Sequence, residues 1–333
     1  MFSQRSLVGL LLGPVLFMLV LLMPLPEGMS PQGLSVAAIA VLMAVWWVTE
    51  AIPIPATALL PIVLFPVMGV LSGSEVTRAY GNHLIYLFLG GFLIAVTMEK
   101  WNLHHRIALH TIRLVGLTPQ GIVLGFMLAT AFLSMWISNT ATTMMMVTIA
   151  MAVIKEMQLD DRQTSARLGF SGVLMLGIAY AASLGGVATL IGTPPNAIFA
   201  GVVEKTYGIH ISFLDWMLFA LPMSMVMLAL CWLYLTRIVF ARADLQLPGS
   251  QTVIREQIER LGDMTRQEKQ VAVVFCTVAA LWVLRGLYQP EGLAMVRDST
   301  IAIAGALLLF MIPVDISKGE FLLDWKTAVR VPW

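Results

Sequence analysis

Long apolar runs separated by short polar segments make up most of this chain. A helix that crosses a bilayer needs about 20 apolar residues. Runs over 7–25, 34–51, 54–71, 83–99, 213–236, 269–287 and 298–314 each predict one. Two stretches are different. Residues 118–154 and 168–203 contain no Asp, Glu, Lys or Arg, and each is about twice the length one span requires. A polar or Pro/Gly cluster interrupts each near its middle.

The first cluster is Ser134-Met-Trp-Ile-Ser138-Asn139-Thr140-Ala-Thr142-Thr143. Such side chains are costly in hydrocarbon unless partnered. Two half-helices meeting at Ser138–Thr140 account for them. The second would start near Thr140, with its free N–H groups and positive dipole end at the tip. That end suits an anion, while Ser and Asn oxygens and opened carbonyls suit a small hard cation such as Na⁺. The bland reading is Ser and Thr bonding back to helix carbonyls, and the density of the cluster argues against it.

The second cluster is Gly185-Gly186, Thr189 and Gly192-Thr193-Pro194-Pro195-Asn196. Pro194 and Pro195 supply no N–H and disfavour helix in the preceding residue. The break frees carbonyls near Leu190, Ile191 and Gly192, and Asn196 can cap the following half-helix or bind a ligand. A packed proline kink is the competing reading. Paired interrupted segments point to a transporter binding site. No Arg or Lys interrupts either segment, so an anion there must be held by helix ends, dipoles and bound cations. No ionisable group is present to carry protons, which favours sodium coupling.

Composition sharpens this picture. Of 333 residues, 59% are hydrophobic and 12% charged, against about 25% charged in soluble domains. Bilayer is the solvent that fits. A net charge of +1 gives no electrostatic case for nucleic acid. The two cysteines, Cys231 and Cys276, lie in apolar runs with no metal-ligand spacing. No HExxH, paired intramembrane Asp or Ser/His pair marks an enzyme. The first run is long for a signal peptide and reads as a retained helix.

With the N-terminus cytoplasmic, 16 of the 20 Lys and Arg fall on cytoplasmic segments; Arg78, Lys205, Arg285 and Arg297 fall outside. This obeys the positive-inside rule and places the chain in the inner (plasma) membrane. Residues 100–117 read as an amphipathic interfacial helix with Leu103, Ile107 and Leu114 on its apolar face. The polar loop 241–268 holds a short surface helix. Glu50 lies at a hydrated span end, with Pro53 and Pro55 starting the next helix. His83 and His210 read as interfacial, and Met144–Met146 as packing.

Three motifs together resemble the divalent anion:sodium symporter family. They are Trp46-Trp-Val-Thr-Glu50-Ala-Ile-Pro53-Ile-Pro55, Ser134-Met-Trp-Ile-Ser138-Asn139-Thr140-Ala-Thr142 and Gly192-Thr-Pro-Pro-Asn196. The resemblance implies an all-α polytopic inverted-repeat transporter with a re-entrant hairpin and a broken helix. It implies a homodimer working by an elevator-type mechanism, with Na⁺ as co-transported ion and a small dicarboxylate such as succinate as substrate. Sulfate is the alternative substrate. Ser134, Ser138, Asn139 and Gly192 would hold Na⁺; Asn139, Thr140, Thr193 and Pro194 would contact substrate.

The implied organisation is scaffold helices 1–99, linker 100–117 and a transport-domain part 118–240, comprising hairpin 118–155, broken helix 168–203 and span 213–236. Loop 241–268 and the start of a second repeat, 269–333, follow. Only one hairpin and one break are present, so the expectation is a chain truncated before its second repeat is complete, with half the site elsewhere. A channel or uniporter built on the same broken helices, and a non-transporting fragment, are the other readings.

Overall fold

The computed structural model describes residues 4–115, 118–156, 164–239, 250–288 and 295–331. Arg162 and Arg242, counted above among the cytoplasmic basic residues, lie outside them. Among the described residues, six helices are long and apolar enough to cross a membrane: Gln4–Leu21, Pro31–Thr49, Gly73–Lys100, Gly169–Val187, Phe213–Val239 and Arg266–Leu287. The chain divides into two units, Met1–Ile85 and Tyr86–Pro332.

In the first unit, α1 (Gln4–Leu21) packs on α2 (Pro31–Thr49). Gly9 and Gly13 permit the approach. A Cβ on Gly9 would overlap the Thr49 side chain, and one on Gly13 would lie 2.5 Å from Trp46 Nε1. This is the small-xxx-small spacing of close membrane helices. Ser30 caps α2 through Gly33 N–H at 3.1 Å, with Pro31 in the first turn. Glu50 ends α2 at φ 49° and is exposed.

The predicted span 54–71 is corrected. It folds as two short helices, α3 (Ile54–Thr57) and α4 (Leu60–Val67). The break falls at residues 58–59, just before Pro61, which opens α4 and cannot donate to the helical ladder. A capped helix α5 (Gly73–Tyr80) follows, with Ser72 and Glu75 forming a reciprocal capping box.

The second unit contains most of α6 (His83–Lys100), then α7 (Leu103–Val115), α8 (Pro119–Ser134), α9 (Asn139–Glu156), α10 (Thr164–Val187), α11 (Pro194–Tyr207), α12 (Phe213–Leu233) with a π-helical end Tyr234–Val239, α13 (Ser250–Leu261), α14 (Arg266–Leu287) and α15 (Asp298–Met311). Helix α10 packs against α8, α9 and α12. A strand pair departs from the all-helical expectation: β1 (Pro313–Asp315) pairs antiparallel with β2 (Glu320–Phe321), and the short α16 (Trp325–Ala328) follows.

Helix α7 is amphipathic, but its buried face is Leu103, Ala108, Leu109 and Ile112. Leu114, expected on that face, is 86% exposed. Arg106 explains the rotation. Its guanidinium meets Glu268 at 2.9 Å and donates to the Gly262 carbonyl at 2.9 Å, so the arginine turns inward, towards the start of α14. The expected surface helix in 241–268 is α13.

Asp298 anchors the far ends of α12, α14 and α15. It accepts from Phe213 N–H at 2.9 Å and pairs with Arg285 at 2.9 Å, both side chains buried. Lys100 pairs with Asp324 at 2.6 Å and Trp101 Nε1 donates to the Leu322 carbonyl at 2.8 Å, holding the segment after α15 against the α6–α7 junction.

The Lys100 ammonium holds the Asp324 carboxyl well down, at about 2. An unperturbed Asp titrates near ~3.9. The folded chain therefore favours the ionised form. The pair's contribution is complete above pH ~4 and disappears as pH falls through about 2. Asp324 is 44% exposed, so solvent keeps the contribution to about 1 kcal/mol or less. Melting temperatures of Asp324→Asn are expected to fall less steeply than wild type across this acid window.

Candidate functional site

Both interruptions are helix breaks, and α10 brings them together. Helix α8 stops at Ser134, residues 135–138 are non-helical, and α9 starts at Asn139. Ser138 caps α9: its Oγ accepts from Ala141 N–H at 3.3 Å and its carbonyl from Thr142 N–H at 3.0 Å. The N–H groups of Asn139 and Thr140 have no preceding helical carbonyl to bond. Helix α10 stops at Val187, and α11 starts at Pro194 with Thr193 as N-cap.

Ser134 is fully buried, and its hydroxyl lies 2.7 Å from Asn139 Oδ1 and 2.7 Å from the Ala182 carbonyl. One proton serves one of these at a time, leaving a cluster richer in acceptor oxygen than in protons. Asn139 lies directly on Gly186, where a Cβ would overlap Oδ1 and stand 2.8 Å from Nδ2. Gly192 lies on the other side, where a Cβ would overlap the Gly186 carbonyl and stand 2.9 Å from its Cα. Gly186 thus lies between the two breaks because it lacks a side chain. The side-chain oxygens of Ser134 and Asn139 meet beside it, the donor type a hard cation takes.

Of the residues predicted to hold a cation, Ser134, Asn139 and Gly192 come together, and Ser138 shapes the turn beside them. The predicted substrate residues are more open. Asn139 and Thr193 are half-buried; Thr140 and Pro194 are exposed. Thr193 makes no side-chain cap to α11, so its hydroxyl is uncommitted among the described residues. Pro194 and Pro195 remove two of the N–H groups that would open α11. Its end therefore offers an anion mainly dipole and the Thr193 hydroxyl.

Asn196 does not cap α11, one of the two roles expected of it. It is buried, and its Nδ2 donates back to the carbonyls of Gly186 at 2.9 Å and Thr189 at 2.7 Å. It closes the preceding half-helix rather than capping the following one. Thr189 is a strut that sequence reasoning left without a role. Its hydroxyl donates to the Met135 carbonyl and accepts from Gly192 N–H at 3.1 Å, joining one break to the other. A buried Thr beside two glycines was the available signal.

Aromatic packing fixes the first break from behind. Trp136 stacks on Trp282 at 6.4 Å with rings 3° apart, and meets Phe275 edge-on at 4.8 Å. A cavity of about 990 Å³ lies behind Met135, Trp136, Gly185 and Ala188. Its walls are chiefly apolar, from residues such as Phe132, Met217, Leu221 and Phe275, so its size does not make it the ion site. The oxygen cluster is elsewhere, between the breaks.

The family profile described as "Sodium:sulfate symporter transmembrane region" matches residues 4–333. Two relatives, each named "Sodium-dependent dicarboxylate transporter SdcS", come from Staphylococcus aureus strains USA300 and bovine RF122 / ET3-1. Each is 46% identical over 340 residues, across 100% of this chain and 65% of the relative. The chain therefore spans about two thirds of the length of these relatives.

Proposed function

The chain belongs to the sodium:sulfate symporter family, and from that premise we propose that it serves sodium-coupled uptake of a small dicarboxylate, a C4 acid such as succinate. The observation that carries this is the meeting of two helix breaks at Gly186, with Ser134, Asn139 and Gly192 around it. Na⁺ is cargo here, held by neutral oxygens that impose no fixed charge. The cation then compensates the substrate's negative charge, which explains how an anion is carried without a buried Arg or Lys. Asn139 belongs to both roles: Oδ1 faces the cation cluster and its N–H opens α9 toward the anion. Thr140, Thr193 and Pro194 form the open substrate side. The name carried by the staphylococcal relatives favours dicarboxylate over sulfate.

The proposal includes a cytoplasmic N-terminus, supported by the basic-residue asymmetry. It also includes homodimeric, elevator-type movement of the helices from α8 onward, with α7 as linker, which rests on the family resemblance.

The test is uptake of labelled succinate into membrane vesicles under an inward Na⁺ gradient or a matched K⁺ gradient, with sulfate as competitor. Wild-type uptake should require Na⁺ and resist sulfate. Asn139→Ala should reduce it by about 10- to 100-fold, the effect of losing a hydrogen-bonding group to a charge. Uptake indifferent to Na⁺ would support a uniporter, and wild-type rates in Asn139→Ala would sink the site.

A further inference from the structure

The Glu99 side chain has no hydrogen-bond or ion-pair partner among the described residues. It is half-buried at the end of α6, where a carboxylate calls for a hydrogen-bond donor or a cation. The cationic side chains nearest in sequence are already engaged: Lys100 pairs with Asp324 and Arg106 with Glu268. Glu99 faces instead a cavity of about 250 Å³, lined also by Asn102, His104, Ile137, Ala141, Thr142 and Met145.

The wall is rich in acceptors. His104 Nδ1 lies 3.2 Å from the Met98 carbonyl, which it can meet only by donating. Nε2 is then the nitrogen with a lone pair. Burial lowers the pKa of this imidazole, keeping it uncharged. Thr142 is 1% exposed, and its hydroxyl has no hydrogen-bond partner among the described residues. Asn102 lines the cavity with an amide, whose oxygen can ligate a cation. An unneutralised carboxylate, an amide oxygen, an unpartnered hydroxyl and a neutral imidazole suit a cation and repel an anion. Ile137, Ala141 and Thr142 flank the Ser138–Thr140 tip, so this cavity adjoins the first break.

We propose that the Glu99, Asn102, His104 and Thr142 cavity is a second cation site, taking Na⁺ separately from the Ser134–Asn139 cluster. The choice of Na⁺ rests on the sodium-coupled reading, and the predominance of oxygen donors agrees with it. The site bridges α6, the α6–α7 turn and the start of α7 to α9. Its cation therefore ties the first break to the junction of α6 with the linker.

Equilibrium binding of ²²Na⁺ to the purified full chain separates the two sites. Glu99→Gln, which keeps shape and removes charge, should lower bound Na⁺ at saturation by one equivalent per chain. Asn139→Ala should remove a different equivalent, and the double variant both. Thr142→Val should weaken the Glu99 site by about tenfold, one lost hydrogen-bonding group, with the melting temperature of each variant confirming the fold. A Glu99→Gln curve that superimposes on wild type overturns the proposal, as does loss of all Na⁺ with Asn139→Ala alone. If Asn139→Ala binds as wild type while Glu99→Gln loses an equivalent, this inference stands and the reading of the tip fails.

Discussion

Gly186→Ala is expected to fold normally and to lose sodium-dependent succinate uptake by at least about tenfold. Alanine favours helix over glycine by about 1 kcal/mol, and Gly186 is helical, near the end of α10. Its new methyl would first meet the amide of Asn139, a side chain that can rotate away. Rotation separates Asn139 Oδ1 from Ser134 Oγ, now 2.7 Å apart. One oxygen then leaves the cluster, costing about 1.5–3 kcal/mol of interaction with a charge. Uptake measured over a Na⁺ series should show a raised sodium requirement rather than a lowered amount of protein in the membrane.

Gly185→Ala, one residue earlier, should do the opposite. Its methyl would overlap the Ala131 carbonyl oxygen and stand 2.5 Å from Ala131 Cα. These are backbone atoms of α8 and cannot rotate aside. Helices α8 and α10 must separate, breaking the contact of Ser134 with the Ala182 carbonyl. Overpacking of this kind costs about 1–3 kcal/mol, occasionally more. The expected result is a lower melting temperature in detergent and less folded protein, a loss of stability that Gly186→Ala does not share. Equal stability of the two variants would contradict the packing described for α8 and α10.

Much of this was legible in the sequence. Hydropathy located α1, α2, α6, α12 and α14, because bilayer thickness sets a length that any apolar run must meet. The break positions were legible from polar groups and prolines where neither belongs. What failed were features that depend on distant partners. The buried face of α7 was misassigned because Arg106 looked solvent-bound, while its carboxylate, Glu268, lies 162 positions later. Hydropathy predicts one span over 54–71 because it does not register that Pro61 lacks a donor. Asn196 was expected to point forward or to a ligand, yet it turns back to Gly186 and Thr189. That choice depends on how tightly the break closes, which residue type does not specify. Gly9 and Gly13 carried a recognisable spacing that went unread.

The central claim is that two separate breaks form one sodium site. Hydrogen–deuterium exchange, followed in peptides covering 134–142 and 186–196, tests it most directly. In Na⁺ relative to K⁺, exchange should slow in both peptides over the same concentration range, and Asn139→Ala should abolish the effect in both. Slowing confined to one peptide, or persisting unchanged in Asn139→Ala, would contradict a shared site.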